Sequence, residues 1–345
     1  MRCILESPLT WLVTVSITRQ ASARYVQRPS FSWDDTKYLI AFGDSYTFVQ
    51  GTEGYPEYSF IGSYLEGEFS FTPEKLLSDR IVQNFNGTAE GGPNWVEFLT
   101  GCAAENGEYL PHDCKIQLWD FAFAGADVSI EFLEQHHEST VPLVNQTQQY
   151  LNWAEPVIGK KMDKSKALVA VWIGINDIID SAELDVSFPE FYDDLISAVF
   201  EQTVQPMFDA DYKNFLFINL PPLDRTSANV MSDSPSPSKE MIGWWDDALA
   251  QHSRRFSVDH PNANTMLYDA NTFLNGVLDE PEKYDIKDTT TYCLSFDEPG
   301  VQTNPEKFGC HPLDDYFWFN SAHMTSHTHE VMTSDLRKFL QEQSC

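Results

Sequence analysis

Ser45 and His323 have the types and the settings to run nucleophilic chemistry together, although most of the chain lies between them. Ser45 sits in FGDSYT, two residues after Gly43, where an apolar run ends. A serine at such an exit can present its hydroxyl at a sheet edge, with backbone N–H groups aimed at a developing oxyanion. Gly, Asp and Ser are also ordinary turn residues, so the triplet by itself says little. His323 lies in YFWFNSAHMTSHTHE, just ahead of a helical stretch that carries His327 and His329. A loop histidine there can take the proton from a serine hydroxyl. Gly125, in DFAFAGAD, can bring a backbone N–H close to a ligand because no side chain intervenes. Asn176, in VWIGINDIID, offers a neutral amide donor that adds no competing charge. Its plainer use is to cap the helix that follows.

These residues need a scaffold that brings them to one edge. Five apolar runs read as strands: 38–43, 116–122, 167–174, 214–220 and 265–270. They are continuous rather than alternating, as expected of parallel strands covered on both faces. Helical stretches, 189–208 and 242–260 among them, separate the runs. This alternation predicts a three-layer α/β/α sandwich with right-handed crossovers and a site at the carboxyl ends of the strands. No internal repeat is present, and SDSPSPSKE at 232–240 reads as an exposed loop.

Composition narrows the functions available. The chain has 345 residues, 42% apolar and 14% aromatic, enough to bury a substantial core. It has 22 Lys and Arg against 52 Asp and Glu, a net charge of −30, which excludes binding to phosphate backbones or anionic lipid. The start, MRCILESPLTWLVTVSITRQASA, has a basic head, a short apolar run and Ala21-Ser22-Ala23 as a cleavage site. Residues 1–23 therefore read as a secretory signal peptide, too short to span a membrane, and 24–345 as one secreted, soluble domain. The triplets at Asn86 and Asn145 are acceptor sequons for N-glycosylation. Cys102 with Cys114, and Cys293 with Cys310, are spaced as two disulfides, each worth about 3 kcal/mol if unstrained. Cys3 leaves with the signal peptide, Cys345 is the odd thiol, and the spacings match no zinc pattern.

The order of the four blocks carries more than any one of them. GDS after the first strand, Gly after the second, GxND after the third and a near-C-terminal His resemble the SGNH (GDSL) hydrolase superfamily. FINLPPLDRT at 217–226 and YFWFNSAHMTSHTHE are similar to the fungal secreted acetylesterases of carbohydrate esterase family sixteen. The resemblance implies a flavodoxin-like sandwich with a five-stranded parallel sheet. It implies Ser45 as nucleophile and His323 as base, with the Ser45 N–H, the Gly125 N–H and the Asn176 side chain as oxyanion donors. The reaction implied passes through an acyl-enzyme and needs no metal or cofactor. The substrate implied is a small ester, such as an acetylated xylo-oligosaccharide or another sugar, with no nucleic-acid or membrane partner and a monomeric enzyme.

One position departs from the superfamily pattern, Asp-x-x-His. Asn320 stands where the acid should be, and an amide can offer only an uncharged oxygen. Three arrangements are open: a backbone carbonyl orients His323 and leaves a Ser–His dyad, which the sequence favours; Asn320 presents its oxygen; or Asp314 or Asp315 reaches the ring. The bland reading of those two aspartates is a solvated acidic loop. His327 and His329, two apart on a helix, point in different directions and are expected on its surface or supporting the site from behind, rather than as joint metal ligands. His136 and His137 read as exposed.

The insert at 49–74 is rich in Tyr, Phe and Gly and is expected to wall the cleft. Trp95 and Trp318 can offer flat faces to a sugar, although core packing is the ordinary use of Trp. No long apolar lid is visible, which favours short acyl groups. Two other readings remain: a lipase or lysophospholipase on the same scaffold, and a catalytically impaired carbohydrate-binding relative, motivated by the missing acid. A histidine base predicts activity that declines as pH falls through its pKa, near 6.5 if unperturbed and higher if the acidic surface raises it.

Overall fold

The computed structural model describes residues 30–52, 60, 72–135 and 137–344. The segment read as a signal peptide, most of the 49–74 insert, His136 and Cys345 lie outside them. Among the described residues seven strands are formed: β1 (Tyr38–Gly43), β2 (Ile81–Gln83), β3 (Gly107–Tyr109), β4 (Gln117–Asp120), β5 (Ala167–Trp172), β6 (Asn214–Ile218) and β7 (Asn264–Tyr268). Five make one parallel sheet in the order β4-β1-β5-β6-β7, while β2 and β3 form a small antiparallel ribbon. The sheet is the one expected, with shorter strands. Residues at the carboxyl ends of the runs, such as Ile173, Gly174, Asn219 and Leu220, leave the sheet for the edge loops.

The α-helices are α1 (Pro73–Ser78), α2 (Trp95–Thr100), α3 (Leu143–Gln149), α4 (Ile175–Asp180), α5 (Phe188–Val199), α6 (Gln205–Asp209), α7 (Ser227–Val230), α8 (Lys239–Asp259), α9 (Ala270–Asp279) and α10 (Ser326–Glu342). α3, α5 and α8 pack side by side as one layer, and α2, α10 and α9 as the other. This is the expected α/β/α sandwich, and its sheet order is the flavodoxin-like one. Every residue of β5 and β6 is buried, which explains why those runs carry no polar alternation. The helix expected at 189–208 is broken: α5 passes through a π-type turn at Phe200–Val204 into α6. Pro206 has no N–H for the carbonyl one turn earlier, and the chain widens just ahead of it.

Topology fixes where a site can form. The chain goes from β1 to β4 on one side of it, then returns to β5 on the other side. The crevice outside the carboxyl ends of β1 and β5 is therefore the topological switch point, where open α/β sheets bind ligands. Both disulfides read from the spacing are formed, with Cα atoms 5.4 Å apart for Cys102–Cys114 and 5.3 Å for Cys293–Cys310. The second staples the long connection from α9 that delivers His323 to the edge. Among the described residues no helix is long and apolar enough to cross a membrane.

Candidate active site

The turn that carries Ser45 is set by a close approach and a clamp. β1 and β5 run level, so that Gly43 lies beside Trp172. A Cβ on Gly43 would stand 2.2 Å from the Trp172 carbonyl oxygen, so no other residue fits. Gln146 of α3 holds the same glycine twice: Oε1 accepts its N–H at 3.0 Å, and Nε2 donates to its carbonyl at 2.8 Å. The buried Asp44 carboxylate then accepts the Tyr46 N–H at 3.0 Å. Ser45 follows with 8% of its surface still exposed.

The neighbouring exits are tied to this turn and to each other. Gly125 has φ +77°, a left-handed conformation that glycine adopts without a Cβ clash. The Asn176 Nδ2 group donates to the Ala126 carbonyl at 2.9 Å, which fastens the amide to the Gly125 turn. An amide has two N–H bonds, so the second stays available to a ligand. Asp177 Oδ1 accepts the Val128 N–H at 2.9 Å, a second link between the same segments. The helix-capping use of Asn176 is not realised, since Gly174 occupies the cap of α4 with no side-chain bond.

His323 closes the arrangement. Its Nε2 lies 2.8 Å from Ser45 Oγ, and its Nδ1 lies 3.0 Å from Asn320 Oδ1. The Asn320 oxygen also accepts the N–H groups of Ala322 at 3.0 Å and His323 at 2.8 Å. Three donors around one atom settle which end of the amide faces the ring. Nδ1 therefore carries its hydrogen, and the Nε2 lone pair faces the serine, the tautomer a general base needs.

The backbone-carbonyl dyad favoured by the sequence is thus replaced by the Asn320 side chain. Asp315 is turned elsewhere, with each carboxylate oxygen 2.8 Å from Lys287 Nζ, and Asp314 is exposed on the same turn. Their bland reading as an acidic loop describes them better. The surface expectation for His329 also fails. On α10 it shares the inward stripe of Met332, Thr333 and Leu336 and is wholly buried, with Nε2 3.8 Å from Glu90 Oε1. His327 is half-buried and reaches the Tyr284 carbonyl at 2.8 Å. Trp95 and Trp318 are fully buried, so both serve the core and neither offers a face to a sugar. Asn86 is exposed, Asn145 is half-buried on α3, and His137 is exposed.

Burial dominates the electrostatics. It pushes the His323 pKa down to about 4, with no carboxylate at Nδ1 to hold it up. Burial raises Asp44 to about 7 and lifts Asp127 and Asp177 above the carboxylate range. Below neutral pH these groups are largely uncharged, so they do not oppose negative charge developing at the edge. Glu90 is likewise raised by burial, and His329 is lowered to about 3. The geometry suits one kind of chemistry: a hydroxyl relieved of its proton by a neutral imidazole.

The family model for GDSL-like lipases and acylhydrolases matches residues 39–336. The chain belongs to that family. It is 26% identical over 315 residues to an acetylesterase of Thermothelomyces thermophilus, covering 86% of this chain and 92% of the relative. It is 23% identical over 319 residues to GDSL esterase/lipase 2 of Arabidopsis thaliana, covering 85% and 83%. Among solved structures, the acetylxylan esterase Axe2 of Geobacillus stearothermophilus aligns with TM-score 0.39 and 15% identity, over 90% of this chain and 96% of its own. Family membership rests on the model match over residues 39–336. This GDSL hydrolase is accordingly a carboxylic ester hydrolase. Gln146, Tyr46, Glu90 and the inward face of His329 are the parts of its site that motif reading missed. For His329 the apolar spacing along α10 was an available signal.

Proposed function

We propose that the protein is a secreted serine esterase that removes short acyl groups, acetyl above all, from xylo-oligosaccharides or related sugars. The observation that carries the catalytic part is the line Ser45 Oγ, His323 Nε2, His323 Nδ1, Asn320 Oδ1, with gaps of 2.8 and 3.0 Å. Ser45 Oγ attacks the ester carbonyl carbon as its proton passes to Nε2. The carbonyl oxygen takes the negative charge and is received by the N–H groups of Ser45 and Gly125 and by the Asn176 amide. His323 returns the proton to the departing sugar oxygen as the carbon–oxygen bond breaks. Water, deprotonated by the same nitrogen, then releases the acid and restores Ser45.

Preference for acetyl is supported by the acetylesterase relative, whose alignment covers most of both chains. Secretion is supported by the leader-like N-terminus, two formed disulfides and the exposed sequon at Asn86. Acetate release from acetylated xylo-oligosaccharides, measured against p-nitrophenyl esters of short and long acids, tests the reading. We expect short acyl groups to be released, with activity reduced by a factor of at least ~10³ in Ser45→Ala and in His323→Ala. Faster turnover of long-chain esters would instead favour the lipase reading, which the Arabidopsis relative also supports. Failure of a fluorophosphonate to label Ser45 would point to a sugar-binding protein without catalysis.

A further inference from the structure

We infer that Tyr46 is a positioning residue for the reaction, locking the nucleophile turn to the loop of the base. The inference rests on Ser45 and His323 being the nucleophile and base. Tyr46 follows Ser45 directly in the chain, and its N–H is held by the Asp44 carboxylate at 3.0 Å. Its hydroxyl donates to the carbonyl oxygen of Ala322, the residue before His323, at 2.5 Å. Its ring centroid lies 5.4 Å from that of His323, tilted by 34°. One fully buried side chain therefore bonds to the backbone of the base loop, packs beside the imidazole and shares a peptide unit with the nucleophile.

The need for such a strut follows from Asn320. Its single oxygen is divided among three donors, the N–H groups of Ala322 and His323 and the imidazole Nδ1. A carboxylate would bind the imidazole through a charge-assisted bond of roughly twice the strength. With an uncharged acceptor, the position of the ring depends more on the backbone of residues 322 and 323, and Tyr46 holds that backbone. Behind Tyr46 the surroundings are packed: the Trp172 ring lies 5.4 Å away and the His329 ring 5.7 Å away. The strut therefore has a rigid seat, since neither neighbour can yield without opening a void in the core. Burial also holds the phenol well above its ordinary pKa, so it remains a donor at any working pH.

The test is Tyr46→Phe, which keeps the ring and its packing and removes only the donor. We expect kcat to fall roughly tenfold with KM within about twofold, because the loss falls on alignment for the chemical step. The labelling rate of Ser45 by a fluorophosphonate should fall in parallel. The same substitution in an Asn320→Asp background should cost less than about threefold, since a charged acceptor then anchors the ring independently. An equal loss in both backgrounds would reduce Tyr46 to a packing residue and overturn the inference. So would an unchanged kcat in Tyr46→Phe. Substantial activity remaining in Ser45→Ala would sink the nucleophile assignment itself, so the two failures are distinguishable.

Discussion

At residue 320 an amide oxygen occupies the place where the superfamily pattern has a carboxylate, and its neutrality has a measurable consequence. A carboxylate would favour the imidazolium and raise the His323 pKa, whereas the amide leaves burial to lower it to about 4. The base must be neutral to accept the serine proton, so activity is lost only as pH falls through that lowered value. We expect the acid limb of the kcat/KM profile to lie below 6.5, the ordinary histidine value. This reverses the expectation that the acidic surface would raise it. Asn320→Asp should move the limb upward, by about one pH unit or more. Asn320→Ala should lower kcat by about a hundredfold through loss of ring orientation. Asp315→Ala should leave kcat unchanged, because that carboxylate serves Lys287. An Asp315→Ala enzyme that loses activity would return the orienting role to the acidic loop.

Among the elements, the meeting of β1 with α3 matters most for the nucleophile. Gln146 is fully buried and spends its amide on both backbone groups of Gly43, with a third bond to the Val141 carbonyl at 2.8 Å. Gln146→Leu keeps the bulk but leaves the Gly43 N–H without its partner, while the Gly43 carbonyl keeps the Phe123 N–H at 3.1 Å. An unpaired buried group costs about 1–3 kcal/mol, so the stability measured by urea denaturation should drop by about that amount or more. Activity per folded molecule should drop too, since the Ser45 turn hangs from this clamp. Retained stability and full kcat would show that the turn is held by the Gly43 approach to Trp172 alone. Such a clamp is hard to read in sequence, because Gln146 lies on a separate helix and its partner is backbone.

For the molecule as a whole, the buried acids set the response of stability to pH. Burial raises Asp44 to about 7, and Glu97 and Asp246 to about 8. A raised folded-state pKa means that the native protein keeps protons the unfolded chain would release. The resulting stabilisation is complete below the unfolded values, 3.8 for Asp and 4.5 for Glu, and is lost as pH rises through 7 to 8. Relief of the −30 net charge on acidification acts in the same direction. His329 opposes it: neutral in the core with a pKa of about 3, it withdraws stability as pH falls below 6.5. Calorimetry should therefore give a higher Tm at pH 5 than at pH 8, by roughly 5 °C or more. A Tm that rises steadily to pH 8 would mean that these carboxyls are ionised within the fold.

The sequence by itself determined the α/β/α class, the five parallel strands and the sheet edge where Ser45 and His323 meet, and its Cys spacing suggested both disulfide pairs. Those features depend on local signals: continuous apolar runs, Cys spacing, and turn residues placed directly after strands. Tertiary structure alone decided that the Asn320 oxygen faces His323, that Asp315 turns to Lys287, and that His329 lies in the core beside Glu90. It also brought Tyr46 to Ala322 and Gln146 to Gly43. The physical reason is that each of these contacts fixes a side chain by what surrounds it. Packing and burial choose among the partners a residue's chemistry allows, and those partners lie far away in the chain.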